Sequence, residues 1–290
     1  MVFVKPNRLS SLLLLAQHLV LFNFQAQKHG GRAHCTQRQE VVPAPGPLHR
    51  RRVRQVEQRP EDHVHKPFVR HNGILVLGLC CIQSSDTSLR TEEEICSVYA
   101  ATVDDVDLAV AAARKAFKQP SWKGLSGTER GLLMNKLADL VNQNAETLAT
   151  VECLDNGKPY SVAFNEDIQE VVGVLRYYAG FADKNFGQVI DVGPSKFAYT
   201  LKQPLGVCGQ IIPWNYPLAM AGWKLGPALC CGNTVVLKLA EQTPLSMLVF
   251  AKLVNEAGFP PGVINIINGY GRVRKLVHGS RRQGAVLTCV

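Results

Sequence analysis

Apolar residues recur at helical spacing through the region that follows Thr91. One amphipathic run extends from Asp104 to Phe117, and a second from Thr128 to Asn144, with Thr128 as its candidate N-cap. Two further segments continue the helical pattern, and one short stretch alternates as a strand does: Ala145–Leu154, Asn165–Phe181 and Phe197–Leu201. The pattern predicts a helical region followed by a short strand.

From Gly206 onward, short apolar strands alternate with helices. The predicted strands are Gly206–Ile212, Thr234–Leu237 and Val263–Ile267. The predicted helices between them are Leu218–Cys231, stopped by Gly232-Asn233, and Pro244–Ala257, stopped by Gly258. Strand–helix repeats with short links are typical of an α/β fold with a doubly wound parallel sheet. Ligands of such sheets bind at the carboxyl ends of the strands.

Charge divides the chain into three parts. The net charge is +9, but residues 1–90 carry 13 Lys and Arg against 5 acids, and residues 272–290 carry five basic residues and no acid. The middle is therefore acidic, and it contains no histidine between Thr91 and Gly271. A basic chain suggests nucleic acid or an anionic membrane as partner. Here the basic flank has almost no aromatic residues to stack on bases, so we expect no nucleic-acid partner.

Two features of the flank and the thiols set the expected compartment. The apolar run Leu12–Leu21 is too short and too interrupted to span a membrane, so we expect no membrane partner. The nine cysteines form no CxxC pair and no zinc spacing, which favours reduced thiols, a cytoplasmic protein and no metal site. The adjacent Cys230 and Cys231 lie in an apolar run, where small buried filler is expected.

The first predicted strand end is a corner bounded by two prolines. Ile212 is followed by Pro213-Trp214-Asn215-Tyr216-Pro217, and each proline keeps the preceding residue out of the helical region. The Asn215 amide could donate to a ligand oxygen. The alternative is a rigid turn in which Asn215 hydrogen-bonds its own backbone.

The second strand end places a cation and an anion three residues apart. Lys238 follows Leu237 directly, and Glu241 comes just before the next helix. The lysine could hold a nucleotide hydroxyl or phosphate, and the glutamate could accept from ribose hydroxyls. The alternative is a helix-start acid favoured by the dipole beside a solvated lysine. The third strand leads into a glycine-containing turn that ends at Gly271.

Together these segments resemble a known family. GVCGQIIPWNYP, WKLGPALCCGNTVVLKLAEQTPLS and GFPPGVINIINGYG closely resemble the NAD(P)-dependent aldehyde dehydrogenases, as do LDNGKP and RYYAGFADKNFGQVI upstream. The resemblance covers Thr91 to about Val273. It implies the nucleotide-binding part of the aldehyde dehydrogenase fold, in truncated form, with flanking helices and an oligomerisation strand pair.

The resemblance also implies roles for single residues. Asn215 would help form the oxyanion hole, and Lys238 and Glu241 would bind the adenosine ribose. A carboxylate at Glu241 would repel a 2′-phosphate, so NAD is expected rather than NADP. The remaining expected cofactor contacts are Ile212, Pro213, Trp214 and Gly271. The substrate would be an aldehyde, and the stretch Asp183–Leu201 would pair subunits into a homo- or hetero-oligomer.

The printed sequence departs from the family after Val273. It contains no F-T-G-S segment for the pyrophosphate, no E-L-G-G segment for the general base and no G-Q-x-C segment for the nucleophile. Cys289 lacks the nucleophile's context and is interpreted as coincidental. We therefore expect an aldehyde dehydrogenase by descent that is inactive as given and that binds its cofactor only weakly. The alternatives are a non-catalytic partner or decoy subunit, and a basic nucleic-acid-binding protein acting through residues 1–90.

The flanks suggest a shifted reading frame. In the family a peptide such as LFIDGEFVK stands upstream, and one choice of its codons, read from the third base, gives LHRRRVRQ, which is Leu48–Gln55 here. We expect residues 1–90 to be a basic, disordered or mis-translated flank. Residues 91–273 would form the nucleotide-binding region, and residues 274–290 an aberrant tail.

Overall fold

A six-stranded sheet organises the residues described by the computed structural model, which are 94–271 and four short strands outside that range. The strands are β1 (Arg70–His71), β2 (Ile74–Leu77), β3 (Gln83–Thr87), β4 (Glu94–Tyr99), β5 (Val189–Ile190), β6 (Ala198–Tyr199), β7 (Val207–Ile211), β8 (Thr234–Lys238), β9 (Ile264–Ile267) and β10 (Val286–Thr288). The predictions for residues 1–69 and 272–285 concern positions outside the described residues.

Helices occupy most of the chain between β4 and β9. They are α1 (Val103–Lys118), α2 (Pro120–Lys123), α3 (Gly127–Gln143), α4 (Ala145–Asn156), α5 (Tyr160–Val162), α6 (Ile168–Phe181), α7 (Pro217–Cys230) and α8 (Leu245–Ala257), and a π-helical turn, Ala163–Asp167, joins α5 to α6. None of the helices among the described residues is long and apolar enough to cross a membrane.

The sheet has the order β1-β2-β9-β8-β7-β10, and every pairing is parallel except that of β1 with β2. The three predicted strands are its centre, so the predicted parallel α/β sheet is confirmed. Strands β1, β2 and β10 lie where the hydrophobic pattern predicted no strand. All three are short, and β2 and β10 join the sheet through pairings with β9 and β7, which are far along the chain, so local periodicity does not report them.

Alternating strand residues serve two separate cores. Val235 and Leu237 of β8 pack into the larger core, and Val236 between them packs into a smaller one on the opposite face. Helix α1 covers the smaller core with Val106, Ala109, Val110 and Ala113. Because both faces are covered, the central strands are buried and mostly apolar, as the doubly wound architecture requires.

Two helix ends show how local sequence sets the boundaries. The N-cap of α3 is Ser126, whose hydroxyl accepts from the Glu129 amide at 3.2 Å while the Glu129 carboxylate accepts from the Ser126 amide at 2.7 Å. The prediction of Thr128 as the cap is therefore wrong, since this reciprocal pairing starts the helix two residues earlier. Helix α8 ends as predicted at Gly258, which adopts φ 92°.

Two antiparallel strand pairs lie apart from the main sheet. One pairs β3 with β4, and the other pairs β5 with β6. The second is the strand pair expected between Asp183 and Leu201, although the strand residues are only Val189–Ile190 and Ala198–Tyr199. Large apolar side chains in this segment are exposed, namely Phe186, Val189, Phe197, Tyr199 and Leu201.

Candidate active site

The carboxyl ends of the central strands are joined by backbone hydrogen bonds. The Ile212 amide donates to the Lys238 carbonyl at 3.1 Å, and the Leu239 amide donates to the Ile267 carbonyl at 2.9 Å. The chain runs from β7 through β8 to β9 in one direction, and β10 pairs with the other side of β7. The sheet order therefore reverses beside β7, which is where open α/β sheets bind their ligands.

The corner after β7 presents an asparagine at this edge. Ile212 is buried, and Trp214 and Asn215 are exposed between the two prolines. Within the described residues the Asn215 side chain makes no hydrogen bond to the protein. The alternative in which Asn215 bonds its own backbone is therefore not what the structure shows. The amide is available to a ligand.

The cation and anion after β8 form an ion pair. Lys238 Nζ lies 2.9 Å from Glu241 Oε2, and the lysine side chain is only 4% exposed. Partial burial is the largest influence and acts to raise the pKa of Glu241, but the hydrogen bond from Lys238, a backbone hydrogen bond and the Lys238 charge together leave that pKa below its usual value. A buried ammonium that faces one carboxylate is fixed in position, and the carboxylate keeps its charge at neutral pH.

The alternative interpretation of these two residues is wrong on both counts. Lys238 is buried rather than solvated. Glu241 is not a helix-start acid, because α8 begins at Leu245 and its first turn contains no acid. The Leu245 amide instead donates to Asp155 Oδ2, at 2.8 Å, so a carboxylate from α4 occupies this helix start.

Gly271 follows β9 at the same edge of the sheet and is exposed. The structure thus brings Ile212, Pro213, Trp214, Asn215, Lys238 and Glu241 to adjacent strand ends, with Gly271 after the next one. Whether these residues contact a cofactor stays a prediction.

Sequence reasoning missed the side chains that support the corner. Lys224 Nζ in α7 donates to the Ile211 carbonyl at 2.5 Å, and Gln210 Nε2 donates to the Lys224 carbonyl at 2.7 Å. Both residues are buried. A lysine within the apolar run WKLGPALCC was the available signal, since a buried lysine needs a specific acceptor.

Comparison with known proteins identifies the family. The family model described as "Aldehyde dehydrogenase family" matches residues 83–284, which is more than half of the chain. The chain belongs to the aldehyde dehydrogenase family. The match extends past residues 91–273 on both sides, and the proposed frame-shifted origin of the flanks stays a prediction.

Relatives and solved structures agree with this membership. The chain is 60% identical over 183 residues to an aldehyde dehydrogenase of Alternaria alternata, covering 63% of this chain and 37% of the relative. It is 57% identical over 182 residues to retinal dehydrogenase 2 of Mus musculus, covering 62% and 35%. The NAD+ complex structure of aldehyde dehydrogenase from Bacillus cereus matches with a TM-score of 0.67 and 41% identity, covering 71% and 47%.

The chain therefore spans little more than a third of the length of these curated relatives. The matched part is the one that carries the corner and the ion pair. For the aldehyde dehydrogenase chemistry of the whole enzyme, a nucleophile and a general base are also needed.

Two of the described thiols are held in the protonated form. Burial raises the pKa of Cys208 and of Cys153 to about 11 in each case, which keeps both thiols protonated. A hydrogen bond from Cys230 lowers the pKa of Cys231 to about 6. Cys231, however, caps the end of α7 that leads into the amino end of β8, on the edge opposite Asn215. Cys289 lies outside the described residues.

The expectation that Cys230 and Cys231 are small buried filler therefore fits only the first of them. Cys230 is 1% exposed, whereas Cys231 is partly exposed and lies 3.7 Å from Asn185 Oδ1. No group of three or more potential metal ligands occurs within the described part of the chain.

A buried carboxylate cluster lies behind the corner. Glu152 in α4 is fully buried, and this burial raises its pKa to about 7, against the lowering effects of the Ser246 hydroxyl and the Lys158 ammonium. Lys158 is itself paired with buried Asp167. Lys158 also lies over the ring of Tyr216, with its Nζ 4.2 Å from the ring centre.

Proposed function

We propose that this chain provides the NAD-binding part of an aldehyde dehydrogenase, an enzyme that oxidises aldehydes to carboxylic acids. The observation that carries the proposal is the Ile212–Lys238 hydrogen bond. This bond joins the ends of β7 and β8. The corner that presents the Asn215 amide follows Ile212, and the Lys238–Glu241 ion pair begins at Lys238, so the two features lie side by side. This arrangement lies beside β7, where the strand order reverses.

The ion pair fits a ribose. Lys238 Nζ can donate to one hydroxyl oxygen, and the charged Glu241 carboxylate can accept from ribose hydroxyls. Trp214 is 53% exposed at the neighbouring strand end, where its ring can cover the cofactor cleft together with Ile212 and Pro213. When bound, NAD accepts a hydride from the substrate carbon. A carboxylate that keeps its charge repels the 2′-phosphate of NADP, so we propose NAD as the preferred cofactor.

Asn215 supplies the electrostatic part of the chemistry. Its amide would donate to the substrate oxygen as negative charge develops during thiol addition to the aldehyde. A donor of this kind is typically worth about 2.7–4 kcal/mol in the transition state. It cannot replace a missing nucleophile. We therefore propose that the 290-residue chain alone does not turn over aldehydes.

Cofactor selectivity tests the proposal. Purified chain is titrated with NAD and with NADP while binding is followed by calorimetry. We expect NAD to bind more tightly, and we expect Glu241→Gln to narrow the difference because the amide no longer repels a phosphate. Lys123→Met, an exposed site on α2, serves as the control and should leave both affinities unchanged. Equal affinity of the unaltered chain for the two cofactors would count against the assignment of Glu241.

A second candidate function is a non-catalytic partner of an intact aldehyde dehydrogenase. The exposed side chains of the β5–β6 segment favour it, because apolar surface of that kind on a strand pair is typical of an interface. Co-purification of the chain with an intact relative, lost on Phe197→Asp and Tyr199→Asp substitution, would support this function. If the chain stayed monomeric and did not co-purify with the intact enzyme, this second function would be excluded.

A further inference from the structure

The residues on either side of Asn215 are both held by one loop. Asn156 Nδ2, at the end of α4, donates to the Trp214 carbonyl at 2.5 Å. Lys158 Nζ, two residues later, lies 4.2 Å from the centre of the Tyr216 ring. Trp214 and Tyr216 are the immediate neighbours of Asn215 in sequence. The loop therefore fixes the backbone before Asn215 and the side chain after it.

Lys158 is itself fixed in place. Its ammonium forms an ion pair with Asp167, and the two side chains are 10% and 1% exposed. The intervening Gly157 ends α4 in the left-handed conformation, with φ 81°, which other residues rarely adopt. This turn allows Asn156 and Lys158 to reach both sides of the same corner.

The corner needs this support from outside. Pro213 and Pro217 fix their own φ angles and restrict the residue before each of them. That leaves the backbone of Trp214 and Asn215 unrestricted by proline. The Asn215 side chain, for its part, makes no hydrogen bond to other described residues. A hydrogen-bond donor contributes most to a reaction when it is held in one orientation before charge develops.

We propose that Asn156 and Lys158 are positioning residues for Asn215. They hold the Pro213–Pro217 corner so that the Asn215 amide keeps one orientation toward the substrate oxygen. This inference rests on the oxyanion role proposed for Asn215. In this role each residue acts through a neighbour of Asn215, Asn156 through Trp214 and Lys158 through Tyr216.

The ring of Tyr216 gives the cleanest test. Tyr216→Leu removes the ring but leaves the Lys158–Asp167 pair intact, and Tyr216→Phe retains the ring as the matched control. Backbone amide order parameters of Trp214, Asn215 and Tyr216 are measured by NMR on the full chain. We expect them to fall from about 0.85 to below about 0.6 in Tyr216→Leu and to stay unchanged in Tyr216→Phe.

The hydrogen bond to Trp214 gives an independent test. Asn156→Ala and the isosteric Asn156→Asp both remove the donor, and both should raise the mobility of the same three amides. Asn142→Ala, at an exposed asparagine of α3, is the control. The indole N–H signal of Trp214 should shift and broaden in the two Asn156 variants. Signals of β8 should remain in place, which separates loss of positioning from general loss of structure.

Two outcomes would overturn the inference. One is a rigid corner in both Tyr216→Leu and Asn156→Ala; the other is a Tyr216→Phe variant as mobile as Tyr216→Leu. NAD binding by the unaltered chain is measured in parallel. Failure to bind NAD would refute the proposed function, whereas the mobility measurements refute only the positioning role, so the two failures are distinguishable.

Discussion

Two asparagines at opposite ends of the parallel sheet show how polar groups divide between structure and function. Asn233, before the amino end of β8, is 5% exposed; its Oδ1 accepts from the Gly206 amide at 2.9 Å, and its Nδ2 donates to the Ala228 carbonyl at 3.1 Å. Asn215, after the carboxyl end of β7, is exposed and makes no such bond to the described residues. The first amide is committed to the fold, and the second is free to meet a ligand.

The same division separates two glutamates. Glu152 is buried, and its burial raises its pKa to about 7. Glu241 is partly exposed; burial acts to raise its pKa, but the Lys238 hydrogen bond, a backbone hydrogen bond and the Lys238 charge together hold that pKa below the usual value. One carboxyl group therefore resists ionisation near neutral pH, and the other is a stable anion. The proposed ribose site needs a carboxylate that keeps its charge, and of these two groups only Glu241 meets that need.

The largest expected effect is the pH dependence of stability that arises from Glu152. Its folded pKa of about 7 lies above the unfolded value of 4.5. Its contribution to stability is therefore complete below pH 4.5 and is lost as pH rises toward 7, by at most about 3 kcal/mol. Glu152→Gln should remove this decline and be the more stable protein at pH 8. Urea unfolding at a series of pH values measures it, and parallel curves for the two proteins would contradict it.

Asn233 predicts the next effect. Asn233→Ala removes two side-chain hydrogen bonds and leaves the buried Gly206 amide without its partner, whereas the Ala228 carbonyl still accepts from the backbone amide of residue 233; the change should destabilise the fold by about 1–3 kcal/mol. Affinity for NAD per folded molecule should stay the same, because this amide lies on the edge away from the proposed site. Chemical unfolding together with calorimetric titration checks both statements. Loss of NAD affinity with unchanged stability would reverse the assignment.

Lys238 predicts an effect on binding rather than on folding. Lys238→Met keeps the buried stem and removes the ammonium, so NAD affinity should fall about tenfold, as expected for one lost charged hydrogen bond. Stability should change little, because Glu241 is exposed enough to be hydrated. Calorimetric titration gives the affinity, with Lys123→Met as the exposed control. If Lys238→Met lowered the free energy of unfolding strongly but left the NAD affinity of the folded protein unchanged, the role of Lys238 would be structural.

The centre of the fold could be predicted from the sequence because the two signals that define it, hydrophobic periodicity and helix-ending glycines, are local. Hydrophobic periodicity placed β7, β8 and β9, and the glycine at position 258 placed the end of α8. Strands β1, β2 and β10 were missed, since β2 and β10 join the sheet through β9 and β7, which are far along the chain, and β1 pairs only with β2. The alternatives left open for Asn215 and Lys238 depended on burial and on hydrogen-bond partners. Those are properties of the packed structure, and spacing along the chain does not contain them.

The supporting residues of the site were missed for a related reason. The LDNGKP segment was noted as a resemblance, but nothing in it announces that Asn156 reaches Trp214, 58 residues later. A buried lysine paired with Asp167 likewise becomes visible only when α4 and the π-helical turn are packed together. Side chains that support a site through a neighbouring residue are therefore the part of that site that is hardest to predict from sequence.

We expect substitution of Asn215 to have the smallest effect on stability, and this small effect is what should distinguish Asn215 from Asn233. Asn215→Ala removes an exposed amide without a protein partner, so the free energy of unfolding should change by less than about 0.5 kcal/mol. Asn215→Ala and Asn233→Ala are the same chemical change at opposite ends of one sheet, so their free energies of unfolding can be compared directly. Chemical unfolding of both variants under identical conditions measures it. If Asn215→Ala proved as destabilising as Asn233→Ala, the amide would be a structural part of the corner, and its availability to a substrate oxygen would have to be abandoned.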